Sequence, residues 1–111
     1  MDTILKEQDV NCFLEEIENI FPNFVAGVII DYNGFLIATK IPKNFHIHEN
    51  DLALSAIVNK QDFIKETNYI KIRRDLDKAK KIKLFLLLQK SSKYFHRFKI
   101  FKKIVETQAL F

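Results

Sequence analysis

Phe24-Val25-Ala26-Gly27-Val28-Ile29-Ile30-Asp31-Tyr32-Asn33-Gly34-Phe35-Leu36-Ile37-Ala38-Thr39 is the stretch whose reading decides the fold. Two β-rich runs flank a segment that contains Asn-Gly, the strongest short-range hairpin signal. Gly34 takes positive φ at little cost and Asn33 tolerates it. Asp31 suits the turn because its carboxylate accepts local backbone hydrogen bonds. Both runs are nearly continuously apolar, which predicts strands covered on both faces and a hairpin in the middle of a sheet.

Upstream, Val10, Phe13, Leu14, Ile17, Ile20 and Phe21 recur at steps of three and four. That stripe predicts a helix over about residues 4 to 20, ended by Pro22. Cys12 lies beside the stripe and reads as a buried or half-buried small hydrophobe. Downstream, residues 40–48 form a loop with Pro42, His46 and His48. Asn50 or Asp51 is expected to cap a second helix carrying Leu52, Ala53, Ala56, Ile57 and Lys60, continued by Phe63 and Ile64. Ala53 and Ser55 make that helix narrow enough for close packing. Tyr69-Ile70-Lys71-Ile72-Arg73 alternates as a strand, and Ile82 to Leu88 reads as a central strand because its end is wholly apolar. Ser91 or Ser92 is expected to cap a last helix with Phe95, Phe98, Phe101, Val105 and Ala109 along one side. A strand over Tyr94 to Phe101 is the weaker alternative. The order is helix-strand-strand-helix-strands-helix, an α+β design with a single central antiparallel sheet and helices on its faces.

The chain has 111 residues and 13.1 kDa, which is one domain over residues 1–111. At 48% hydrophobic and 29% charged residues, it reads as neither a disordered tail nor a membrane protein. No apolar run is long enough to span a bilayer and no leader is visible, so a cytoplasmic location is expected. Two glycines argue against a Rossmann fingerprint or a phosphate loop, and a single cysteine excludes an internal disulfide or a four-cysteine zinc site. Charge is uneven. Residues 1–70 hold five lysines against eleven acids, whereas residues 71–111 hold thirteen Lys or Arg against Asp75, Asp77 and Glu106. The basic half suits an acidic partner, although solvated strand edges and a lysine-rich helix face are the commoner reason for such a bias.

Candidate chemistry is sparse. His46 and His48 fall on one side of an extended segment, but the spacing singles out no third ligand among His96, Cys12, Glu49 and Asp51, so solvated loop histidines are preferred to a metal site. Cys12 has no neighbouring base or oxyanion site and is not a candidate nucleophile. Arg73, Arg74, Lys78, Lys80, Lys81 and Lys83 suggest a phosphate-binding patch, with Tyr69, Tyr94 or Phe95 available for stacking. No nucleic-acid motif accompanies them, and nucleic-acid binding is not favoured. The phenylalanines and lysines of the last helix would also suit a membrane interface, ranked below packing on the sheet. Ala109-Leu110-Phe111 is apolar and expected to dock on the sheet or on a partner. No enzyme activity and no cofactor is expected.

The order of elements, with the segment from Phe24 to Thr39, resembles the Roadblock family of dynein light chains, prokaryotic GTPase-regulating proteins and lysosomal scaffold subunits. Members begin with a helix, then a strand, an Asp-x-x-Gly turn and a second strand ending in a small polar residue. The resemblance implies a non-catalytic dimeric scaffold, homodimeric or paired with a second Roadblock-like subunit, that binds or regulates a small Ras-like GTPase or a motor or membrane-associated complex. It places the dimer interface on the second helix and the following edge strand, here Leu52, Ala56, Asn59 and Tyr69. On that reading Ala56→Arg should weaken the dimer. Arg73, Arg74, Lys81 and Lys83 form the expected partner-binding basic patch. The family has five strands, three between the second and third helices, whereas residues 65–91 show two, so either one strand is missing or the second helix ends near Lys60 and Asp62 to Thr67 supplies a short strand. A longin- or profilin-like adaptor, binding a protein or an anionic membrane through the basic half, is the alternative.

Overall fold

A computed structural model describes residues 7–57 and 68–111. The hairpin is present: β1 (Phe24–Ile30) and β2 (Leu36–Lys40) pair antiparallel, with a register shift between Ile29 and Ile30. Asp31 builds the turn. Its Oδ1 accepts from the Asn33 amide at 2.8 Å and the Phe35 amide at 3.0 Å, and the Gly34 amide donates to the Asp31 carbonyl at 3.0 Å. Gly34 has φ +87°, where a side chain is strained. A second hairpin, β3 (Tyr69–Asp75) and β4 (Lys83–Gln89), joins the first through β1 and β4. The described residues thus form one four-stranded antiparallel sheet in the order β2-β1-β4-β3.

Three helices among the described residues complete the α+β fold: α1 (Glu7–Ile20), α2 (Glu49–Ile57) and α3 (Arg97–Thr107). Side-chain alternation on the central strands sorts the core into two layers. Leu84, Leu86 and Leu88 of β4 join the core under α1 and α3, with Ile17 and Phe101. Phe85 and Leu87 point the other way, onto Leu52, Ala53 and Ala56 of α2. The stripe read in the sequence from Val10 to Phe21 is buried throughout. Lys40 adds ion pairs to Glu15 at 3.5 Å and Glu18 at 3.7 Å, tying β2 to α1.

Several expectations change. The first hairpin is not central as a whole: β1 is, but β2 is an edge strand, and only Ala38 of it is buried. Phe35 belongs to the turn rather than to β2. His48, not Asn50 or Asp51, caps α2, its Nδ1 accepting from the Asn50 amide at 3.1 Å. An imidazole acceptor two residues before an amide does what a carboxylate would do there. The last helix starts at Arg97, because residues 93–96 form turns and Ser91 Oγ caps the first of them at the Lys93 amide. Cys12 is exposed. Residues 4–6, the continuation of α2 through Lys60, Phe63 and Ile64, and the possible strand at 62–67 lie outside the described residues.

The apolar C-terminal residues dock on the chain's own core. Leu110 and Phe111 pack against the α1/α3 layer. Gln108 holds them there: its Nε2 donates to the Leu76 carbonyl at 2.7 Å, and its Oε1 accepts from the Leu110 and Phe111 amides.

Candidate interaction surface

The second helix uses its small face internally. Leu52, Ala53, Ser55 and Ala56 are buried against β1 and β4. The Ser55 hydroxyl finds no hydrogen-bond partner among the described residues, so its fitness there rests on size. Of the residues expected at a dimer interface, Leu52 and Ala56 are therefore committed to the core of their own chain. Tyr69 is half-buried at the start of β3, its ring stacked on His46 at 6.3 Å. Asn59 lies outside the described residues. The outward face of α2 carries Leu54 and Ile57, both exposed. Beyond β3 no further strand pairs among the described residues.

The four cations expected as one patch are divided by the sheet. Arg73 is on the α2 side, where its Nε donates to the Ser55 carbonyl and its guanidinium lies 5.1 Å above the Phe85 ring. That contact draws Arg73 into holding α2 on the sheet. Lys83 is on the same side and pairs with Asp75 at 2.7 Å. Arg74, the next residue along β3, points to the other face and lies 5.9 Å above Phe101. Lys81 is in the β3–β4 turn, 5.6 Å above the Tyr32 ring. A period of two puts neighbouring residues on opposite faces, so Arg73-Arg74 cannot act as a pair.

The histidines do not converge. Among the described residues no three His, Cys, Asp or Glu side chains lie close enough to hold a metal ion. Among the same residues no helix is long and apolar enough to cross a membrane.

One surface was not legible in the sequence. Ile30 pairs with both Leu36 and Lys83, so the turn at 31–35 and the turn at 76–82 leave the sheet side by side. Tyr32 and Phe35 are 64% and 69% exposed on the first turn. Gly34 brings that turn against α2, where a Cβ would lie 3.2 Å from Ile57 Cδ1. Lys78, Lys80 and Lys81 are exposed on the second turn. The only hint in the sequence was two aromatics flanking Asn33-Gly34, which reads equally well as the end of a buried strand.

Comparison with known proteins found no matching family model, no similar curated protein and no similar solved structure.

Proposed function

We propose that the chain is a non-catalytic scaffold domain of Roadblock-like architecture that assembles with a second copy or a related subunit and holds a small Ras-like GTPase. The observation that carries the reading is the placement of α2. Among the described residues it is the helix on one face of the sheet, packed there together with Ile47 and Phe45 of the preceding loop, and it turns Leu54 and Ile57 outward. Beside it, β3 ends the described sheet. A helix with an exposed apolar face next to a terminal strand can be continued across a two-fold axis. The alternation of Arg73, Lys71 and Tyr69 with Ile72 and Ile70 gives that strand a polar side toward α2, which opposes indiscriminate edge pairing.

Light scattering across concentration and salt tests the assembly, with a salt-resistant mass near twice 13.1 kDa expected. Leu54→Arg should give a folded monomer whose melting temperature no longer depends on protein concentration, because residue 54 is exposed and its replacement leaves the core intact. Ala56→Arg should instead lower stability by about 3 kcal/mol or more, since it forces a long charged side chain into the core. Binding is read by titrating purified Ras-like GTPases in both nucleotide states. A monomer with no GTPase affinity in either state would overturn the proposal.

A further inference from the structure

We infer that the end of the sheet bearing the two hairpin turns is a docking surface for an anionic lipid bilayer. This goes beyond the scaffold reading and does not rest on it.

Three observations converge there. Tyr32 and Phe35 are the most exposed large hydrophobic side chains of the described residues, and Ile57 lies beside them. Water-exposed rings on a turn cost free energy that a membrane interface returns, since aromatic side chains favour the headgroup region. The lysines of the neighbouring turn supply the charge. Lys81 sits over the Tyr32 ring, and Lys78 and Lys80 make no ion pair among the described residues. Across the two turns themselves, residues 31–35 and 76–82, three lysines stand against Asp31 and Asp77, whose carboxylates accept from backbone amides of their own turns, a local excess of one positive charge.

Both turns are also pre-built. Asp31 holds the first, and Asp77 holds the second by accepting from the Lys81 and Ile82 amides at 2.8 and 2.9 Å. Lys80 is kept at φ +59° there. Rings and ammonium groups are thus presented together on turns whose backbone needs no further ordering on binding. Asp75, at the end of β3, is engaged by Lys83. An anionic surface matches both components, with rings entering the interface and lysines meeting the headgroups.

The chain has no tryptophan, so Phe35→Trp provides a single reporter. Its emission should shift to the blue with mixed phosphatidylserine/phosphatidylcholine vesicles and stay unchanged with phosphatidylcholine alone. In vesicle sedimentation of the full chain, Lys78→Gln/Lys80→Gln/Lys81→Gln should lose about a hundredfold in partitioning, at roughly fivefold per lysine. Tyr32→Ser/Phe35→Ser should lose about tenfold or more. The control Lys99→Gln/Lys102→Gln/Lys103→Gln, on α3, should stay within about threefold. Melting curves establish that each variant is folded. No blue shift with the mixed vesicles overturns the inference. So does an equal loss in the α3 control, which would mean diffuse attraction of a basic protein.

Discussion

Gly27→Ala is the substitution that most directly probes how α1 meets the sheet. Gly27 lies in the middle of β1, and its backbone needs no positive φ. Its lack of a side chain serves space instead. A Cβ there would stand 2.9 Å from Leu86 Cδ2, 3.2 Å from Phe24 Cζ and 3.3 Å from Leu14 Cδ1. Leu86 and Leu14 are fully buried, so neither methyl can swing into solvent. Overpacking of this kind costs about 1–3 kcal/mol, and the reduced freedom of the unfolded chain returns about 0.4–1 kcal/mol. The net is a loss of about 1.5 kcal/mol. With an unfolding entropy of about 2.1 cal/mol/K per residue, that corresponds to a melting temperature lower by about 6 °C. Thermal and urea unfolding followed by circular dichroism read it, and an unchanged m-value would show that the surface exposed on unfolding is the same and that stability alone has changed. A variant as stable as the parent, or more so, would refute the claim that Leu14 rests on bare β1 backbone.

Two further substitutions test the local devices. Asp31→Ala removes the acceptor for the Asn33 and Phe35 amides and should cost about 1–2 kcal/mol by urea unfolding, with Asp31→Asn recovering part of the loss. Arg73→Lys keeps the charge but not the planar group over Phe85, and should cost about 1 kcal/mol in the same assay; full retention would show that only charge matters there.

The sequence was most legible where local chemistry and burial agree. The Asp31 to Gly34 turn, β1, the apolar stripe of α1 and the wholly apolar run of β4 are all read from residues within a few positions of one another. Edge and centre were harder to separate. Leu36, Ile37 and Ala38 are as apolar as β1, yet β2 ends the sheet, because strand order depends on which strands from distant parts of the chain meet β1. The α2 cap was misplaced because an imidazole acceptor at His48 lacks the usual capping signature. The small residues of α2 correctly signalled close packing but not its target: Leu52 and Ala56 approach their own sheet. The basic run of β3 and β4 looked like one patch in one dimension. The sheet divides it into Arg73 under α2, Arg74 against Phe101 and Lys81 beside Tyr32. The side-by-side turns follow only from the β1–β4 register, which no local signal encodes.

That register also sets an order of events during synthesis. β1 needs β4 along one edge, and Ile30 is separated from its partner Lys83 by about 50 residues. At about 5–20 residues per second on the ribosome, β1 emerges several seconds before its partner exists. The first hairpin can form at once and α1 can cover one of its faces, but the edge that β4 will occupy stays open. Val28, Ile29 and Ile30 are thus the stretch of the nascent chain most exposed to pairing with the wrong strand. The acidic first half, eleven acids against five lysines, emerges before the basic half that carries β4, so the open edge of β1 is presented on a chain of net negative charge.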